Sequence, residues 1–195
     1  MDLRAWRRRI REYNEITNVG PIVRRYFVIG AFDGALTVLG IIIGAVGAGA
    51  TEAHKALILS ASVGAAVALA VSSAVGAYEA ERVEKKLDIT TIERALLARL
   101  SEEHKEAFQF AAIVSAAVHG AAPLLAGLLP LVPFVFLDVG SATIAAIVVA
   151  LIILFIIGTY LGNLVRERVV VTGLRFVAAG LGTAVILWLI GTRPL

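Results

Sequence analysis

Residues 139–165 read VGSATIAAIVVALIILFIIGTYLGNLV, a stretch without one Asp, Glu, Lys or Arg. About 20 apolar residues carry an α-helix across the hydrocarbon core of a bilayer. A soluble helix of this length would show a polar stripe at the helical period, and none is visible here. Working outward, residues 56–78 and 107–137 are also free of charge, and so are residues 176–192. The last run reaches spanning length once residues 169–174 are joined to it across Arg175. A fifth run, residues 26–51, holds a single charge, Asp33. The chain is therefore expected to be an all-α integral membrane protein with five transmembrane helices, at residues 22–51, 56–78, 107–131, 140–163 and 169–192.

Composition agrees with this reading. Of 195 residues, 59% are hydrophobic and 17% charged, where a soluble domain carries about a quarter charged residues. The chain has no cysteine, which excludes disulfides, thiolate metal sites and thiol catalysis. A net charge of +3 does not point to nucleic acid, because the basic residues sit at helix ends. Seven Lys/Arg precede or open the first span, six lie between the second and third, and three fall in residues 165–175; only Lys55 and Arg193 lie on the other side. Such asymmetry predicts a cytoplasmic N-terminus and an outside C-terminus. The arginine-rich start and the length of the first apolar run argue against a cleavable signal peptide.

Four regions follow. Residues 1–21 place Trp6, Ile10, Tyr13 and Thr17 at helical spacing against arginines, which predicts an interfacial amphipathic helix ended by Gly20-Pro21. Residues 22–78 hold the first two spans, and residues 107–192 hold the last three. Between them, residues 79–106 carry eight carboxylates and six basic residues with no Gly or Pro. They are expected to extend helices two and three into a short cytoplasmic helical region joined by a further helical piece. In the first span, Gly30/Gly34 and Gly40/Gly44 are pairs that allow close helix packing, within one chain or between two. Pro123 is placed to kink the third span, and Pro130 and Pro133 to end it.

Asp33 lies eight residues beyond Arg25, about 12 Å along a helix axis. An ionisable group at that depth is costly, and it points to a polar cavity, an ion or a partner. Thr37, one turn on, and Ser72 and Ser73 in the second span are companions of weaker signal, since membrane hydroxyls usually bond to the preceding turn. His119 in the third span reads first as a hydrogen-bonded packing residue and second as a proton relay. Glu81, Glu84 and Asp88 share one face of a continued helix, and Glu102, Glu103 and Glu106 form a second cluster beside His104. All-oxygen sets suit hard or borderline divalent cations; a solvated surface with Glu81/Lys85 as an ordinary pair is the equal alternative. No phosphate loop, nucleophile elbow, HExxH or Glu-x-x-His pair occurs, so an enzyme is not expected.

Phe32-Asp33-Gly34-Ala35-Leu36-Thr37 with Gly40, then Ser72-Ser73-Ala74-Val75-Gly76-Ala77-Tyr78, the proline-rich segment Pro123 to Pro133, and the final span resemble the vacuolar iron transporter family over nearly all of residues 22–192. Plant-type members carry Gly-Glu-Tyr where this chain has Gly76-Ala77-Tyr78, and they use methionines where this chain has only Met1. The resemblance implies a homodimer with a metal path between its copies, exchanging cytosolic Fe²⁺ or Mn²⁺ for protons. It implies that Asp33 is the intramembrane metal and proton site; Thr37 and Ser73, its companions by position, are expected along the same path. It further implies that Glu81, Glu84, Glu102, Glu103 and Glu106 collect metal, with no resident cofactor. Without soft methionine ligands, Co²⁺, Ni²⁺ and Zn²⁺ join the candidate cargoes. Partners are then metal ions, protons, lipid and a second copy, with no nucleic acid, and the compact chain suits a prokaryotic plasma membrane better than a vacuole. A membrane scaffold or metal sensor is the rival reading, and a passive cation channel a third.

Overall fold

A computed structural model describes residues 3–191, with side chains described for residues 8–190. The side chains of Arg4, Trp6 and Arg7, and the residues Met1, Thr192 and Arg193, lie outside the described residues. Among the described residues seven α-helices follow one another: α1 (Leu3–Thr17), α2 (Val19–Gly47), α3 (Lys55–Leu96), α4 (Glu102–Leu128), α5 (Pro133–Phe136), α6 (Val139–Leu164) and α7 (Val169–Gly191). Five segments of the described chain are long and apolar enough to cross a membrane, and they contain α2, α3, α4, α6 and α7.

Helix ends are fixed by local chemistry. The break after α1 falls at Asn18, with φ +44°, and not at Gly20-Pro21. Asparagine tolerates the left-handed region. Pro21 sits in the first turn of α2, where its missing N–H would have no partner anyway. Three helices close with paired backbone bonds around a left-handed residue, the Schellman arrangement. At α2 this residue is Gly49, with Ala50 N–H reaching the Ala45 carbonyl; at α3 it is Leu97, with Ala98 reaching Glu93; at α6 it is Arg166, with Glu167 reaching Gly162. The expected helical piece between the second and third spans does not form: α3 runs to Leu96, and residues 97–101 make a turn held by the Glu93 carboxylate on the Leu100 N–H, 2.9 Å.

The chain divides into two compact units, Met1–Phe27 with Val71–Ala121 and Val28–Ala70 with Ala122–Leu195. In the second unit, small residues of α6 face inward: Ala142, Ala146 and Ala150 are fully buried. Its large aliphatics Ile144, Val148, Ile152 and Ile156 face outward, all at least half exposed. That order, small inside and large outside, is the arrangement of helices packed through close backbone approach with lipid around them. Gly158 meets Gly173 of α7, whose Cα would stand 2.8 Å from a Cβ at position 158. A clamp closes the far end of this unit: Lys55 Nζ donates to the Leu137 carbonyl at 2.6 Å, Glu52 accepts the Val139 N–H, and Asp138 caps α6 through the Ser141 N–H at 2.9 Å. Those contacts hold the Leu129–Leu131 3₁₀ turn and α5, where Phe134 is fully buried.

In the first unit α1 lies against α4. Tyr13 packs on Phe110 with ring centroids 5.5 Å apart, and its hydroxyl donates to Glu106 at 2.7 Å. Ala107, Ala111 and Ala112 are buried on α4.

Candidate functional site

The second unit presents one carboxylate inside a hydrophobic span, and three consecutive residues explain how it is held. Phe32 stacks edge-on against Phe176 of α7, centroids 5.3 Å apart. Gly34 lies directly on the Pro123 backbone of α4, and a Cβ there would overlap the Pro123 carbonyl. Successive helical residues are about 100° apart, so with Phe32 and Gly34 committed to neighbours, Asp33 is turned away from both. It is exposed, and among the described residues its carboxylate has no hydrogen-bond or ion-pair partner. It lines a recess of about 340 Å³ with Val28, Ile29, Phe32, Arg175, Phe176 and Ala179. Arg175, at the same recess, is paired with Glu167 at 3.8 Å. Thr37, half-buried, is one turn on from Asp33 and on its face of α2.

In the first unit the carboxylates are arranged differently. Glu81 is 5% exposed. It accepts the Tyr26 hydroxyl at 3.0 Å and faces Arg25 at 3.7 Å. The Tyr26 ring stacks on His119, centroids 4.8 Å apart, and His119 Nδ1 lies 3.0 Å from the Tyr26 carbonyl oxygen. His119 thus has the hydrogen-bonded packing place that its sequence context suggests first. Tyr26, His119, Ser72, Ser73, Gly76, Ala77 and Ala80 line a second recess of about 340 Å³. Ser73 belongs to this recess, and Asp33 and Thr37 to the other unit.

The remaining candidate ligands lie apart. Glu102 pairs with Lys105 at 2.8 Å, and Glu106 holds Tyr13 with Arg9 3.8 Å away. The hydrogen bond to Glu106 pushes the Tyr13 phenol above its ordinary pKa, with burial adding to the effect and Arg9 opposing it. Glu84 and Glu103 are exposed with no ion pair among the described residues. Lys85 pairs with Asp88 at 3.4 Å and not with Glu81, because Glu81 is already taken by Tyr26 and Arg25. His104 Nδ1 lies 2.8 Å from the Ser101 hydroxyl oxygen. Among the described residues, no three His, Asp or Glu side chains are grouped closely enough to hold a metal ion.

Sequence reasoning missed Tyr13, Tyr26 and Arg25 as partners. The pairs that matter are 93 and 55 residues apart, and no local spacing carries them. No local signal singled out Glu81: Glu79, the first acid after the apolar run, is exposed, and Glu81, two residues on, is buried.

Two similarities to known proteins bear on this arrangement. The model of the VIT family matches residues 88–192. An uncharacterized protein of Methanocaldococcus jannaschii is 31% identical over 170 residues, covering 85% of this chain and 87% of that protein.

Proposed function

The chain belongs to the VIT family, a family of membrane metal transporters, and from that premise we propose that it moves Fe²⁺ or Mn²⁺ out of the cytoplasm in exchange for protons. The observation that carries the reading is Asp33, a carboxylate displayed on the outer wall of an apolar span with no partner among the described residues. An acidic side chain at mid-span costs about 2.5–3.5 kcal/mol on insertion scales. A second copy laid over this face of α2 would remove Asp33 from lipid and bring two carboxylates together, and in this reading the homodimer interface is the path. Asp33 binds metal when ionised and a proton when neutral. The two occupants compete for the same oxygen lone pairs, and competition alone couples their movements. Thr37 supplies a further oxygen one turn from Asp33, and Ser73 offers a hydroxyl at the recess of the first unit.

Glu81, Glu84, Glu102, Glu103 and Glu106 act in this reading as a weak cytoplasmic collecting surface. Metal reaching Glu81, Glu102 or Glu106 has to displace a cation or phenol already there. In this reading the charge asymmetry of the sequence orients this surface and the N-terminus toward the cytoplasm, and the membrane is the plasma membrane of a prokaryote. Co²⁺, Ni²⁺ and Zn²⁺ remain within the chemistry of an all-oxygen path.

The test is flux through purified protein in sealed liposomes, with metal added outside and lumenal pH followed by a trapped dye. Metal entry with lumenal alkalinisation is the expected result. Metal entry without proton movement would make the protein a channel, and no entry with any of these metals would leave the scaffold or sensor reading. The dimer has its own test. The chain has no cysteine, so Thr37→Cys introduces a unique thiol, and oxidation in native membranes should give a cross-linked dimer.

A further inference from the structure

The end of the charge-free part of α3 and the start of the charge-free part of α4 enclose a third recess, of about 310 Å³, which the transport reading does not use. From α3 come Arg82, Lys85 and Lys86; from α4 comes Lys105. Four cations thus line one cavity, and among the described residues no carboxylate does. Arg82, Lys85 and Lys105 each have an acidic neighbour three residues away on their own helix: Glu79 at 2.7 Å, Asp88 at 3.4 Å and Glu102 at 2.8 Å. None of these three acids lines the recess. Lys86 has no ion pair among the described residues. Both walls are helix faces: 82, 85, 86 and 89 on α3, and 105, 108, 109 and 112 on α4, each follow the i, i+3, i+4, i+7 pattern. Gln109 adds a neutral donor.

The recess changes character along its length. Tyr78 is the last residue of one charge-free run, and Phe108 and Ala112 open another. All four cations fall outside those runs. Lys85 Nζ sits 5.9 Å from the centre of the Phe108 ring, so charge and aromatic surface meet within the cavity. Tyrosine at the end of an apolar run and lysines just past it mark the level of lipid headgroups. Free phosphate would need only the cationic half. A phospholipid needs both, with its phosphate on the cations and its glycerol and upper acyl carbons on Tyr78, Phe108 and Ala112. Basic pockets between helices at this level are suited to anionic headgroups.

We propose that this recess binds the phosphate of an anionic phospholipid, with Arg82, Lys86 and Lys105 as the principal contacts. The site lies within one unit of the fold and does not depend on the metal path, so a failure of transport would leave it standing.

The test uses the full-length chain and native mass spectrometry with phosphatidylglycerol, against phosphatidylcholine of the same acyl chains. The wild-type protein is expected to retain phosphatidylglycerol roughly tenfold more strongly than the zwitterionic lipid. Arg82→Gln/Lys86→Gln should bring the two lipids level. Arg94→Gln/Arg99→Gln, which removes the same charge from outside the recess, should keep the preference. If the first variant does not fold, Lys105→Gln on the opposite wall carries the same comparison. Equal retention by the recess and control variants would overturn the proposal, as would equal loss in both, which would reduce the effect to net charge. Displacement of the lipid by excess inorganic phosphate would reassign the cavity to a free anion.

Discussion

Glu81, in the charged extension of α3, and Asp33, inside an apolar span, are both acids, and the chain treats them in opposite ways. Around Glu81 it supplies a phenol and a guanidinium, with a histidine ring stacked behind the phenol. Around Asp33 it supplies apolar side chains and an arginine already engaged with Glu167. A buried carboxylate without partners costs far more than the hydrogen bonds it would make, so Glu81 is satisfied from within. Asp33 has no partner among the described residues, on a surface where lipid can offer nothing. The difference teaches where an outside occupant is wanted: an acid satisfied by its own chain is structure first, and an acid left open in an apolar wall is available to an ion and to a second copy.

The sharpest way to break this comparison is at the glycine that turns Asp33 outward. Gly34→Ala drives a methyl group into the Pro123 backbone, and helices cannot part locally without losing their neighbours. Overpacking of this kind costs about 1–3 kcal/mol, and a backbone obstacle puts it at the upper end. Gly44→Ala, on the same helix with nothing within 4 Å, should leave thermal stability in detergent unchanged or slightly raised. Equal melting temperatures for the two variants would refute the clamp.

Glu81→Gln gives the next effect. The amide oxygen still accepts from Tyr26, but the charge facing Arg25 is gone. A modest drop in melting temperature is expected, and a rise of a few-fold in KM for metal with little change in maximal rate. A loss of maximal rate as deep as that of an Asp33 variant would erase the distinction between the two acids.

A smaller effect concerns Asp138. Its hydrogen bond from the Ser141 N–H holds its carboxyl below the usual carboxylate range. A lowered folded-state pKa means that the cap stabilises above the unfolded value of about 3.9 and fades as pH falls through the folded one. Asp138→Ala should therefore lower the melting temperature at neutral pH, and the gap should shrink on acidification below about pH 4. A gap independent of pH would assign the effect to something other than the charged cap. The smallest change is Tyr13→Phe. The phenol is on an exposed pair with Glu106, and such pairs contribute little; melting should barely shift, and a large shift would mean that α1 is anchored mainly through this bond.

Much of this was legible in the chain itself. Residues 139–165 admit one reading, and four of the five spans follow from runs long enough to cross a bilayer, the last once residues 169–174 are joined across Arg175. Asp33 was legible because a charge is conspicuous where none is tolerated. The break at Asn18 was less visible than Gly20-Pro21, because glycine and proline are strong breakers in general, yet proline is harmless in a first helical turn. What the residues 79–106 do was least legible. Their acids fall at regular helical spacing, but whether they face one another, a cation on the same helix or a phenol on another depends on how α1, α3 and α4 pack. Glu81, Lys85 and Asp88 show the consequence: the pair suggested by spacing is replaced by Lys85 with Asp88, and Glu81 goes to residues more than 50 positions away.

The most direct measurement compares wild type with Asp33→Asn in proteoliposomes, recording Mn²⁺ entry and lumenal pH in the same vesicles. Asparagine keeps the size of the side chain and breaks no contact among the described residues, so the variant should fold and reconstitute as the wild type does. The account predicts that metal entry falls at least tenfold and that alkalinisation disappears with it. Metal entry at the wild-type rate, with protons still moving, would contradict the central claim that Asp33 is the group through which metal and proton exchange.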